Sequence, residues 1–355
     1  MKNFSFKSLM ITMIFSFGII SIALAQKPNV VILATGGTIA GVGQAGSTDT
    51  RYKAGKLPID QLLNAVPDIN KLANVKGEQI AQIGSQAMND QVWLKLASRI
   101  NELLSRKDVD GIVVTHGTDT QEETAYFLTL TVKSNKPVVL VGAMRSATAL
   151  SADGPKNLYD AVAIAASPKS SGKGVLQAMN EKIYAARDLT KMNTTGMEAF
   201  GSSNFGPLGF IFNGKTDYYY TSTRKHTVAS EFSTDKLNKL PKVDIVYGYA
   251  NMTATAIDAF VSSGSKGIVM AGVGNGNLYP DAEEALKRAV AKGVVVVRSS
   301  RVFSGRTTID SEVDDKALGF VAAEDLNPQK ARVLLQLALL KTTNRDTIQQ
   351  YFFEY

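Results

Sequence analysis

Short, wholly apolar runs alternate in this chain with longer stretches whose apolar positions recur every three to four residues. The first pattern suits a strand buried on both faces, the second an amphipathic helix. Strands are therefore expected at residues 30–34, 111–115, 138–141 and 174–179. Between the first two, residues 90–104 place Trp93, Leu94, Leu96, Ile100 and Leu103 on one helical face. A second helix is expected over 121–132, where Thr120 and Glu123 have the spacing of a capping box. Such a helix start would set free N–H groups beside Thr118 and Asp119, a natural place for a developing anion.

The pattern breaks between about residues 217 and 241, where Tyr218-Tyr219-Tyr220 leads into the polar run Thr221-Ser222-Thr223-Arg224-Lys225-His226. Residues 218–241 read as an interdomain linker that lies against the body, because its tyrosines are costly to leave in water. Alternation then resumes, with strands expected at 243–249, 267–271 and 294–298 and a helix after Pro280. Another helix is expected over 329–340, with Asn327 as its cap and Pro328 at its first position. Strands alternating with helices predict parallel sheets built from β–α units. The expected class is α/β: a larger N-terminal domain over 26–217 with a mainly parallel sheet, and a smaller C-terminal domain over 242–355.

Residues 1–25 are patterned differently. Lys2 and Lys7 precede an uncharged apolar run from Leu9 to Ile22, and Ala23-Leu24-Ala25 forms a small-residue cleavage site before Gln26. The apolar run is shorter than the roughly 20 residues a spanning helix needs. The segment reads as a secretory signal, and the mature chain as a periplasmic protein that is free of the membrane. With 20% of its residues charged and 45% hydrophobic, the chain has the composition of a soluble globular protein. Its net charge of +7 falls to +5 without the two lysines of the signal, and the remaining basic residues form no block. A nucleic-acid or polybasic membrane-binding role finds no support in that distribution.

The chain contains no Cys and two His, His116 and His226. Thiol nucleophiles, disulfides and thiolate metal sites are excluded, and an imidazole-rich metal centre is not expected. Hydrolytic chemistry would have to come from hydroxyl, carboxylate and amine groups.

Two stretches supply such groups. The strand 30–34 empties into Thr35-Gly36-Gly37-Thr38, and the strand 111–115 into His116-Gly117-Thr118-Asp119-Thr120. A Walker loop needs Gly-Lys-Ser/Thr, and a dinucleotide fingerprint needs a third glycine opening a helix. The sequence after Thr38, Gly41-Val42-Gly43-Gln44-Ala45-Gly46-Ser47, has neither and reads as a mobile loop with Tyr52 just beyond it. His116 reads as a packed, hydrogen-bonded core residue, because no orienting carboxylate is visible for it. Thr118 needs a base to act as a nucleophile, and Asp119 suits a ligand ammonium group. Gly84-Ser85-Gln86-Ala87-Met88-Asn89-Asp90 is a third polar island, and Gly272-Val273-Gly274-Asn275-Gly276-Asn277 and Asp310-Ser311-Glu312 are two more in the C-terminal half.

These stretches, together with Arg187-Asp188-Leu189-Thr190-Lys191, resemble the bacterial-type L-asparaginases, and in particular their exported type II branch, over residues 27–355. The resemblance implies hydrolysis of L-asparagine to L-aspartate and ammonia without metal or other cofactor. It implies two α/β domains, the smaller one flavodoxin-like or Rossmann-like, and a homotetramer built as a dimer of intimate dimers. By the same resemblance Thr38 attacks the amide and forms an acyl-enzyme, with Tyr52 and Glu312 helping to remove its proton. Thr118, Asp119 and Lys191 assist the water that releases aspartate; a lysine enclosed away from water can accept a proton. Ser85, Gln86, Thr118 and Asp119 contact the substrate, and Asn277 and Glu312 complete the site of the neighbouring subunit. A direct attack by water polarised at Thr118 is the alternative sequence of events. Two other functions compete with this one. A glutaminase-asparaginase of broad amide specificity is disfavoured by Asn277, since family members with strong glutaminase activity tend to carry a smaller residue there. A non-catalytic periplasmic amino-acid binding protein has no use for two threonines, a lysine and a tyrosine in one pocket.

Overall fold

The computed structural model describes residues 26–46 and 51–355, so the expected secretory signal, residues 1–25, lies outside the described residues. The apolar runs form the strands they predict. Asn29–Gly36, Gly111–Thr115, Val138–Val141 and Val175–Met179 are almost wholly buried, as strands covered on both faces must be. Together with Asn74–Ile83 they run parallel, and Lys182–Ala185, Gly209–Phe212 and Lys215–Tyr218 extend the same sheet antiparallel to eight strands.

Strand order decides where the chemistry sits. Asn29–Gly36 lies between Asn74–Ile83 and Gly111–Thr115, paired with the latter from Val30↔Gly111 to Ala34↔Thr115. Both motif strands therefore end side by side, at the carboxyl edge where ligands of open α/β sheets bind. Helix Asp90–Ser105 makes the crossover to Gly111–Thr115, capped by Asn89, whose side chain accepts from the Val92 N–H. It packs Trp93 in a stack on Phe127 of helix Gln121–Thr131.

The smaller domain is a four-stranded parallel sheet, ordered Val243–Tyr247, Gly267–Gly272, Val295–Ser300 and Val321–Ala322. Helix Pro328–Ala338 starts where its Asn-Pro signal puts it, with the Asn327 carboxamide accepting from the Lys330 N–H at 3.1 Å. This helix packs against both the small sheet and helix Gln121–Thr131. Its leucines share one apolar core with Trp93 and Phe127, so the two domains are joined through buried surface.

Three expectations change. The Thr120 hydroxyl does not cap its helix; it donates to the Ser85 carbonyl at 2.8 Å, which ties two motif loops together instead. The strand Lys215–Tyr218 runs into the segment expected as linker, where Tyr218 shares a 2.7 Å hydrogen bond with Ser170. Tyr219, by contrast, is 67% exposed and keeps only an edge-on contact with the Phe210 ring. The stretch after Thr38 is partly ordered secondary structure: Val42–Gly43 pairs antiparallel with Tyr52–Lys53.

Candidate active site

At the end of Asn29–Gly36 the chain turns through Gly36 (φ 112°) and Gly37 (φ 81°), a region that L side chains avoid. A Cβ on Gly37 would sit 2.2 Å from the Gly117 nitrogen, and one on Gly117 would sit 2.5 Å from Ser85 Oγ. Three polar islands thus meet, Gly37 against the Gly117 backbone and Gly117 against the Ser85 side chain, with no room for a Cβ at either glycine. Thr38 follows in a single 3₁₀ turn, Thr38–Ala40, and is 8% exposed.

Thr38 Oγ1 shares a 2.7 Å hydrogen bond with Tyr52 Oη. The Tyr52–Lys53 arm carries that phenol back over the site, with the ring against Gly41. On the other side Lys191 Nζ donates to Thr118 Oγ1 at 2.9 Å and to Asp119 Oδ1 at 2.7 Å. Asp119 remains open to solvent at 58% side-chain exposure, while Lys191 shows 16%. Ser85 is buried and accepts from the Asp119 N–H at 3.1 Å, whereas Gln86 is exposed and folds over Gly84. Thr38, Tyr52, Ser85, Thr118, Asp119 and Lys191 are brought into one network of loops.

His116 stands behind this network and is fully buried. The Trp93 indole donates to Thr124 Oγ1 at 2.8 Å, and Thr124 Oγ1 is 2.9 Å from His116 Nε2. His116 Nδ1 is 2.6 Å from the Gly117 carbonyl, which can only accept. The proton is therefore on Nδ1, and Thr124 donates to Nε2. Burial pushes the imidazole down to about 4. It is a neutral strut under Gly117, the structural part that its sequence context suggests.

Asn277 and Glu312 are placed elsewhere, on loops of the smaller domain, where the Asn277 carboxamide donates to the Glu312 carboxylate. Among the described residues neither bonds to the threonine network. A fully buried ion pair holds their loops together. Arg298 binds Asp315 through Nε at 2.8 Å and Nη2 at 2.6 Å, and donates to the carbonyls of Asn275 at 2.7 Å and Thr308 at 2.8 Å. Sequence reading missed this pair, as it missed Lys330, which sits behind Lys191. A single arginine in a valine-rich strand and a lysine on a helix carry no signal of what they will face. Among the described residues no cluster of three or more His, Asp or Glu side chains could hold a metal ion, and no helix is long and apolar enough to cross a membrane.

Comparison with known proteins agrees with this layout. Residues 29–224 match the family model "Asparaginase, N-terminal", and residues 242–352 match "Glutaminase/Asparaginase C-terminal domain". The chain is 56% identical to the "Probable L-asparaginase periplasmic" of Haemophilus influenzae, covering 96% of this chain and 97% of that protein. It is 56% identical to "L-asparaginase 2" of Escherichia coli (94% and 95% covered) and 47% identical to the "Glutaminase-asparaginase" of Pseudomonas fluorescens (92% and 90%). Among solved structures, the probable cytoplasmic L-asparaginase of Campylobacter jejuni superposes with a TM-score of 0.90 at 50% identity, covering 93% of this chain and 100% of that one. With both family models matched in order and full-length relatives at this identity, the chain belongs to the asparaginase family.

Proposed function

We propose that this protein is an L-asparaginase that hydrolyses L-asparagine to L-aspartate and ammonia through an acyl-enzyme on Thr38. The observation that carries the reading is the pairing of each threonine with its own proton partner, Thr38 with Tyr52 and Thr118 with Lys191, at the ends of adjacent parallel strands. In the first step Thr38 Oγ1 bonds to the side-chain amide carbon, and its proton leaves through Tyr52, assisted by the partner subunit's Glu312. The amide nitrogen takes up a proton and departs as ammonia. In the second step water, oriented by Thr118, Lys191 and Asp119, opens the ester to release aspartate and return the proton to Thr38. The first N–H groups of the Thr38–Ala40 turn have no acceptor inside it. Aimed at the amide oxygen, each would be worth on the order of 3 kcal/mol to the transition state.

Substrate is held by its two charged ends. Ser85 and backbone N–H groups bind the α-carboxylate, Gln86 lies along the side chain, and the exposed Asp119 carboxylate receives the α-ammonium. Asn277 and Glu312 close the site across an intimate dimer, two such dimers forming a homotetramer. The domains span 26–217 and 242–355, and the chain acts in the periplasm after losing residues 1–25. The name of the Haemophilus relative supports that location. The test is ammonia release from L-asparagine and L-glutamine by the purified mature chain. Rapid release from asparagine with weak release from glutamine, unchanged by a chelator, is expected. Equal rates on both amides would favour a glutaminase-asparaginase, and loss of activity in chelator, restored by a metal ion, would contradict the cofactor-free reading.

A further inference from the structure

Lys191 reaches Thr118 from the two-residue strand Thr190–Lys191, whose ladder partner is Phe200–Gly201. That two-stranded ladder is separate from the eight-stranded sheet whose strand Gly111–Thr115 leads into the Thr118 loop. No strand register therefore fixes the height of Lys191 against Thr118, although a shift of about 1 Å at such a contact is enough to lose most of its effect.

A buried joint contributed by the smaller domain supplies what the ladder does not. Lys330, in the first turn of helix Pro328–Ala338, is 2% exposed. Its ammonium donates to the carbonyls of Arg187, at 2.7 Å, and of Leu189. These lie four and two residues before Lys191. The same ammonium faces Glu122, 3.8 Å from Oε2, and Glu122 is four residues beyond Thr118. The Asn327 and Gln329 carboxamides, each donating at 3.0 Å, occupy the two Glu122 oxygens, and the Asn327 carboxamide also reaches Thr190 Oγ1 at 3.2 Å. One ammonium thus grips both the segment that carries Lys191 and the helix that follows Thr118. Burying a lysine is costly unless every donor finds a partner, and an apolar residue here would leave two carbonyls without a donor and the Glu122 carboxylate without its counter-charge.

We propose that Lys330 is a positioning residue for the reaction, holding Lys191 at hydrogen-bond distance from Thr118 through the carbonyls of Arg187 and Leu189 and the carboxylate of Glu122. The proposal rests on the role given to Lys191 above. Arg187 is anchored independently by Asp325, at 2.8 and 2.7 Å, so loss of Lys330 loosens residues 189–191 and leaves the start of the segment fixed.

The experiment is a double-mutant cycle on the full-length mature protein, read as ammonia release from L-asparagine. Lys330→Met is made alone and together with Glu122→Gln, so that one version buries no lone carboxylate. Each is compared in the wild-type and Lys191→Met backgrounds. In the wild-type background kcat should fall about tenfold or more, with KM changed less than about twofold. In the Lys191→Met background the same changes should alter kcat less than about twofold, since nothing is left to position. Equal fold losses in both backgrounds, or an unchanged kcat in the wild-type background, would overturn the proposal. Full turnover by Lys191→Met alone would remove the reading on which the proposal rests, and the proposal with it.

Discussion

Thr38 and Thr118 have the same side chain, and in the proposed mechanism the partner each hydroxyl meets separates their tasks. Thr38 meets the Tyr52 phenol, and Thr118 meets the Lys191 side-chain nitrogen. Replacing Tyr52 with Phe keeps the ring against Gly41 and removes only the hydroxyl. It should lower kcat by about 10²-fold or more while thermal melting stays within a degree or two of wild type. A variant with normal kcat would release Tyr52 from the mechanism. His116 makes a separate prediction. Its folded pKa of about 4 lies below the ordinary 6.5, so the folded state resists protonation. Its contribution is fully present above pH 6.5 and is lost as pH falls toward 4, because there the unfolded chain takes up a proton that the folded one refuses. The loss amounts to about 3 kcal/mol. An NMR titration should find the His116 ring still neutral at pH 5; a midpoint near 6.5 would show that the ring is not sealed.

At the scale of elements, the interior strands were legible because burial on both faces writes an unbroken apolar run. The edge was not. Asn74–Ile83 has one fully buried residue in ten and a glycine at 77, so its sequence, with Lys76, Glu78 and Gln79, reads as polar surface. Lys182–Ala185, Gly209–Phe212 and Lys215–Tyr218 are four residues each, too short for a period to show. The Thr120–Glu123 signal was real as a pattern and wrong as a bond, because the fold brings up the Ser85 carbonyl and the hydroxyl donates to it, with no helix N–H bonded to its oxygen. Within the site, Thr38, Thr118 and Asp119 could be read from strand ends. The reach of Lys191, from a separate ladder, could not, and it entered only through the family resemblance. The Gly36-Gly37 turn offers the sharpest element-level test. Gly37→Ala forces a Cβ into the Gly117 backbone at a positive φ, which should cost about 2 kcal/mol or more of stability and most of the activity. A melting curve and kcat close to wild type would mean the two motif loops are not interlocked.

For the whole molecule, a shared core joins the domains, and Leu189 of the Lys191 segment and Ala331 of the Lys330 helix belong to the same buried cluster. Asn277 and Glu312 sit together on the smaller domain, bonded to each other and not to the threonines of their own chain. That placement makes sense if each chain lends them to its neighbour. Mixing Thr38→Ala with Glu312→Ala after gentle dissociation should restore activity, because a mixed dimer has one site with both lesions and one with neither. No recovery despite demonstrated subunit exchange would contradict a shared site. The proposed mechanism depends above all on Thr38 Oγ1 as the atom that attacks. Rapid quenching during turnover of L-asparagine, followed by peptide mapping, tests that directly, since an acyl-enzyme that forms faster than it is hydrolysed accumulates in the first turnover. In Lys191→Met, where the second step should be slowed, an aspartyl ester is expected on the peptide that carries Thr38. An ester on the Thr118 peptide, or ammonia released in the first turnover with no ester on either threonine, would contradict it.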